Sequence, residues 1–290
     1  MGILRRFQPH GLVWLSLLIL NVHLCSVSKQ PNESFPICVG ILAFEGVETL
    51  GQRLTSYREL FASVEQRIIL FQQLNSETRK AWAMSVVNQF PQLRSIHEEY
   101  NIGQRAGFLR LVKSCEQPYV LILEEDFRVA HRAEVSKQLK LAIELLSESV
   151  DAVRLRSRLD PGEPNHAHLT WLRNGGRLGS GLEQTHLIEH VVWDSSAESR
   201  IRQLRVCRKE PKTWCTSSKY ACYTNNPVLY RTDFFDALIS VVPDDKDVHF
   251  ENFLTEFWAS QNYTVAYSDG IFTHDRLDRT RISSTVKVQK

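Results

Sequence analysis

Apolar positions come in short runs separated by stretches of helical spacing. ICVGILAF (Ile37–Phe44) reads as a buried strand. Val47, Leu50, Leu54, Tyr57 and Phe61 then recur at the three-to-four-residue period of one amphipathic helix. RIILF (Arg67–Phe71) is a second strand, and Asn75 or Ser76 is placed to cap a helix carrying Trp82, Val86, Val87 and Phe90. A weaker strand, Leu93–His97, precedes Asn101-Ile102-Gly103. A helix with Ala106, Leu109 and Val112 then leads to the run PYVLILEEDF. Four strands alternate with three helices, the signature of a mostly parallel sheet flanked by helices, an α/β fold in a single domain. In such sheets ligands bind beyond the carboxyl ends of the strands.

The later pattern breaks into shorter pieces. It predicts a helix over Ala133–Ser147, a strand Ala152–Arg156, and a loop-like stretch from Leu159 to Leu187 that holds NGGRLGSG (Asn174–Gly181). CYTNNPVLYR (Cys222–Arg231) follows, then a helix through Phe234, Phe235, Leu238 and Ile239, another over Phe250–Trp258, and a strand Thr264–Tyr267. The folded domain is expected over 36–285.

Charge changes this picture little. The 290 residues carry 35 Lys plus Arg against 33 Asp plus Glu, a net charge of +2, with no basic block, so a nucleic acid polymer is not the expected partner. Residues 1–28 differ: Arg5 and Arg6 precede LVWLSLLIL (Leu12–Leu20), and small Ser26 and Ser28 follow. That is the pattern of a secretory signal peptide, with a retained signal anchor in the membrane as the alternative. Sequons at Asn32-Glu33-Ser34 and Asn262-Tyr263-Thr264 agree with a glycoprotein of the secretory lumen, in the endoplasmic reticulum or Golgi. Outside the leader five cysteines remain, and the crowding of Cys207, Cys215 and Cys222 predicts one bridge among them. Zinc is the lesser reading, since no C-x-x-C pair occurs and His166 and His168 lie far upstream.

Candidate chemistry concentrates where the fourth strand, Tyr119–Leu123, runs into Glu124, Glu125 and Asp126. Three carboxylates do not belong in a core strand. If the segment stays extended, Glu124 and Asp126 share one face and offer hard oxygen donors to Mn²⁺ or Mg²⁺. NGGRLGSG is no phosphate-binding P-loop, because it lacks the lysine and the hydroxyl and does not follow the first strand.

Three segments in order, ICVGILAFEGVETLGQRLTSY, NIGQRAGF and VLILEEDF, resemble the nucleotide-binding half of metal-dependent glycosyltransferases of the GT-A fold, nearest the family-two group. The resemblance covers Ile37–Phe127 and implies a nucleotide-binding half at 36–127 and an acceptor-side half at 150–285. It implies that Phe44, Glu45, Asn101 and Arg105 line the nucleotide and donor pocket, that Glu124 sits near the ribose or sugar, and that Asp126 is the principal metal ligand. HFENFLTEFW (His249–Trp258) is similar to the later acidic helix motif, which makes Glu251 the acid/base candidate, although Asn252 stands where an Asp is common. GIFTHDR (Gly270–Arg276) is similar to the segment that supplies a metal-binding histidine, here His274, with Arg276 and Arg279 near the diphosphate. Trp171 and Trp193 are acceptor-site candidates, whereas Phe253, Phe257 and Trp258 read as core. The implied activity is transfer of a sugar from a nucleotide-sugar donor, a uridine diphosphate sugar by preference, to a hydroxyl of a glycan, protein or lipid. The rivals are a non-catalytic lumenal binding protein on the same scaffold, a nucleotidyltransferase, and a glycoside hydrolase.

Overall fold

A computed structural model of the chain describes residues 34–44, 47–162, 201, 203–244 and 249–275. The chain divides into Met1–Asn32, outside the described residues, and a compact unit Glu33–Lys290. Within the latter the expected α/β class holds. Among the described residues ten strands join one sheet in the order β3-β2-β1-β4-β9-β6-β10-β8-β7, with β5 paired to β10.

The first half follows the sequence pattern. β1 (Phe35–Ala43), β2 (Val64–Phe71), β3 (Arg94–His97) and β4 (Tyr119–Glu124) pair in parallel. β6 (Ala152–Arg156) and β10 (Thr264–His274) run the same way, while β9 (Val228–Arg231), wedged between β4 and β6, runs opposite to both. The carboxyl ends of β1, β4 and β10 therefore emerge at one edge. β7 (Arg205–Arg208) and β8 (Thr213–Ser217) extend the sheet on its far side.

Each face of the sheet packs its own core. α1 (Val47–Thr55), α2 (Arg58–Ala62), α3 (Glu77–Gln89) and α5 (Val135–Glu148) cover one side through Leu50, Leu60, Val86, Leu139 and Leu145. α4 (Gly103–Lys113), α6 (Thr232–Ser240) and α7 (Phe250–Gln261) cover the other through Phe108, Leu111, Phe235, Leu254 and Trp258. Trp258 is fully buried, with its indole N–H donating to Ala221 O at 2.7 Å, so it is core as expected. Among the described residues two disulfides form, Cys38–Cys115 and Cys207–Cys215. The second is the bridge expected in the crowded stretch. The first ties β1 to the end of α4, and Cys222 stays outside both bridges.

Four expectations are corrected. The helix read from Val47 to Phe61 is two: the Ser56 hydroxyl donates to Arg53 O at 2.7 Å, competing with the helical ladder, and the chain turns there. Trp82 is 39% exposed, because Ala83 and Val86 take the inward positions of α3. The strand read as Thr264–Tyr267 continues to His274 through a register shift at Gly270, whose φ is +79° and where a Cβ would strike the Arg156 carbonyl. Asp126 does not lie on an extended segment: β4 ends at Glu124, Glu125 and Asp126 form a turn, and β5 (Phe127–Val129) follows. The stretch Asn174–Gly181, with Trp171, Trp193, His166 and His168, lies outside the described residues.

Candidate functional site

The carboxyl edge of the sheet gathers Phe44 after β1, Glu124 at the tip of β4 and His274 at the tip of β10. The turn after β4 brings Asp126 to His274, and their Oδ2 and Nε2 atoms lie 2.6 Å apart. The backbone repeats the contact, Asp275 N–H donating to Asp126 O at 2.7 Å. Two residues separated by 148 positions thus meet because β5 doubles back to pair with β10, His274 opposite Phe127.

The Asp126 turn is held from below by the corner between α1 and α2. Arg53, buried, donates from Nη1 to Glu125 O at 2.6 Å and from Nη2 to Asp275 O at 3.3 Å. Tyr57 donates its hydroxyl to Phe127 O at 2.7 Å, and Ser56 Oγ accepts from Val129 N–H at 3.0 Å. The break that divides the expected helix is what lets three consecutive contacts clasp residues 125–129. Gly162 closes the other side of His274: its φ is +75°, its backbone bridges to His274, and a Cβ there would collide with the His274 backbone.

Charge at this edge is unevenly distributed. Burial raises the Asp126 carboxyl, but the hydrogen bond and charge of His274, with Arg53 behind them, outweigh it and leave the group below its usual value. Glu124 goes the other way. Burial first, then the negative charges of Asp126, Glu125 and Glu251, push it well above the ordinary range, against a 3.1 Å hydrogen bond from Gln104 Nε2. Tyr57 and Tyr223 are both raised, chiefly by burial, with Asp126 adding to the first and Tyr230, Glu251 and Glu124 to the second. Glu251 sits in the first turn of α7, where the helix N-terminus favours a carboxylate, and its Oε1 accepts from Asn225 N–H at 3.3 Å.

The remaining expected residues fall as follows. Phe44 is half-buried and its carbonyl accepts from Arg79. Asn101 uses Oδ1 to accept from Gly103 N–H at 2.8 Å, and Gln72 Oε1 accepts from the neighbouring Ile102 N–H, so the segment before α4 is a built turn. Arg105 reaches Val242 O at 2.8 Å and Asp244 at 3.1 Å, on the wall of a cavity of about 410 Å³ that Gln104 and Phe250 also line. Glu45, Arg276 and Arg279 lie outside the described residues. Sequence reasoning missed Arg53, Tyr57 and Gln104 as site residues. It also missed Arg154, whose guanidinium is buried and donates to Cys222 O and Thr224 O in the loop that carries Asn225. Arginines alternating with apolar residues in AVRLR (152–156) are the one signal that marks such a strand.

Among the described residues no group of three His, Cys, Asp or Glu side chains is arranged to hold a metal ion. Asp126 and His274 fit two positions of one. Asp126 Oδ1 is buried with no hydrogen-bond partner among the described residues, so one acceptor is unsatisfied. A carboxylate and an imidazole suit Mn²⁺, and ions of this class take only one or two carboxylates when phosphate oxygens and water complete the shell.

No family model matches the sequence, and no curated protein does. Solved structures do. The chain is similar to S. aureus TarS, residues 1–349, with a TM-score of 0.47 at 13% identity over 82% of this chain and 60% of that one. It is also similar to the mannosyltransferase PcManGT from Pyrobaculum calidifontis in complex with GDP-Man and Mn²⁺, with a TM-score of 0.46 at 12% identity over 84% and 59%. The chain spans about three fifths of the length of each. The likeness is one of chain arrangement.

No described helix is long and apolar enough to cross a membrane.

Proposed function

We propose that this chain is a metal-dependent glycosyltransferase of the GT-A type. It moves a sugar from a nucleotide diphosphate donor, a uridine diphosphate sugar by the sequence resemblance, to a hydroxyl on a glycan, protein or lipid. The observation that carries the reading is the meeting of Asp126 and His274 at 2.6 Å at the carboxyl edge of the sheet, with Asp126 Oδ1 buried and unsatisfied. Those two residues would hold Mn²⁺ or Mg²⁺. When bound, such an ion neutralises the diphosphate and stabilises it as a leaving group.

The chain's own residues supply the rest. Arg53, Ser56 and Tyr57 fix the turn that presents Asp126. Glu251, oriented by the Asn225 N–H, takes the proton from the acceptor hydroxyl as it attacks the anomeric carbon. Glu124, whose carboxyl is pushed well above its ordinary value by burial and then by the charges of Asp126, Glu125 and Glu251, stands at the tip of β4 beside the place the sugar would take.

A non-catalytic binding protein is the second reading, favoured by Asn252 at the place where an Asp is common. One experiment tests both. Nucleotide sugars are screened with Mn²⁺ for thermal stabilisation and for hydrolysis, on the wild type and on Asp126→Ala. Ligand at a hundredfold excess over Kd stabilises a fold by about 2.7 kcal/mol. The expected result is Mn²⁺-dependent stabilisation and turnover by one donor, both lost in Asp126→Ala while its unliganded melting persists as one cooperative transition. Full turnover by Asp126→Ala in chelator removes the mechanism. Donor binding without hydrolysis or transfer to any acceptor favours the binding protein.

A further inference from the structure

We propose that Asn262 is a glycan-bearing residue, N-glycosylated in an oxidising secretory lumen. The inference is independent of the sugar-transfer reading and rests on a different part of the molecule. Asn262 is exposed at the carboxyl end of α7, with φ +65°, in the turn that leads into β10. Its Oδ1 accepts a hydrogen bond from Ser217 Oγ at 2.8 Å. That contact fixes the carboxamide by its oxygen, and Nδ2, the atom that would carry a sugar, makes no hydrogen bond among the described residues. Thr264, two residues on, completes the sequon Asn262-Tyr263-Thr264 and is only half-buried.

A left-handed helix end is served as well by Gly, the residue most often found there. The cap therefore explains the backbone conformation, but requires neither an outward carboxamide nor a hydroxyl two positions later. A second observation concerns compartment. The fold carries Cys38–Cys115, joining positions 77 apart, and Cys207–Cys215. Such bridges persist where the surroundings are oxidising and are rare where glutathione and thioredoxin keep thiols reduced. That is the same compartment in which sequons are modified.

Position removes the steric objection. Glu251 is at the first turn of α7 and His274 at the last residue of β10, whereas Asn262 lies between the two elements, at the end of each that points away from the site. The eleven residues of β10 rise about 3.3 Å each, which puts Asn262 roughly 30 Å from His274. A bulky glycan there does not obstruct the carboxyl edge of the sheet. In the modifying step the Nδ2–C1 bond forms and the C1–O bond to diphosphate in a lipid-linked oligosaccharide breaks. The Nδ2 proton is lost, and the lipid diphosphate leaves.

The test expresses the full chain, leader included, in a eukaryotic secretory system with Asn32→Gln as background, so that Asn262-Tyr263-Thr264 is the remaining sequon. Peptide mass spectrometry before and after peptide N-glycosidase treatment reads the site directly. The expected result is loss of one glycan mass on treatment, with Asn262 recovered as Asp. The glycan is absent from Thr264→Ala, which keeps the Asn262 cap, and present in Thr264→Ser. Neither Thr264 variant alters the fold's single melting transition or any donor turnover the protein shows. Recovery of the peptide with unmodified Asn262 from untreated protein overturns the proposal, as does a chain that accumulates with all its cysteines reduced.

Discussion

Two carboxylates two positions apart, Glu124 and Asp126, are driven in opposite directions by their neighbours. Asp126 is lowered because His274 and Arg53 stabilise its charge against burial. Its folded value lies below the unfolded one, so it contributes stability above the ordinary aspartate value of 3.8, and that stability is lost as pH falls through the folded value. Glu124 has the reverse sign. Its folded value lies above the ordinary 4.5, so the fold loses stability as pH rises from the unfolded value through the folded one. Glu124→Gln keeps an acceptor for Gln104 and cannot ionise. It is expected to raise the thermal midpoint of the unliganded protein at pH 7 and to leave it unchanged below pH 4, as read by calorimetry across that range. A Glu124→Gln protein that melts below the wild type at pH 7 contradicts the assignment.

At the scale of elements, the site depends on how two strand ends are pinned. Arg53 spans the carbonyls of Glu125 and Asp275, the residues adjoining Asp126 and His274. A lysine offers one compact ammonium instead of a planar fork and cannot hold both. Arg53→Lys is expected to weaken Mn²⁺ binding about tenfold, in the range found when a residue supporting metal ligands is lost. Titration calorimetry with Mn²⁺ and the donor nucleotide checks this, and unchanged affinity shows that the clamp is structural only. Gly162 works on the other side of His274. Gly162→Ala forces a left-handed φ and a Cβ against the His274 backbone, which costs about 1–3 kcal/mol in strain and displaces the imidazole; denaturant unfolding and Mn²⁺ titration read the two effects separately. Most of these elements were legible as elements. ICVGILAF, RIILF and VLIL are apolar runs too short for helices, and the strands formed where they stand. The continuation of β10 was not legible, because Ser268-Asp269-Gly270 reads as a turn. Only the packing of Gly270 against Arg156 and the pairing with β5 turn that stretch into a bulge within one strand.

For the whole molecule, Cys38–Cys115 is the longer-range of the two described disulfides, joining β1 to the end of α4 across 77 positions. A closed loop of this length is worth about 4.5 kcal/mol in chain entropy. The paired substitution Cys38→Ala with Cys115→Ser is therefore expected to destabilise the fold by about 2–4 kcal/mol, measured by urea unfolding against the wild type with and without reductant. With reductant, which also opens Cys207–Cys215 in both proteins, the wild type and the variant should unfold alike. The sequence by itself determined the alternation of strand and helix, the parallel half of the sheet and the acid-tipped strand, because hydrophobic period is a local property that neighbouring residues impose on one another. A family resemblance in short motifs made Asp126, Glu251 and His274 candidates. Only the tertiary structure decided that Asp126 meets His274, that Arg53 and Tyr57 hold its turn, and that Cys38 pairs with Cys115. Those contacts join positions 70 to 222 residues apart, and no local pattern records which distant segment a strand will pack beside.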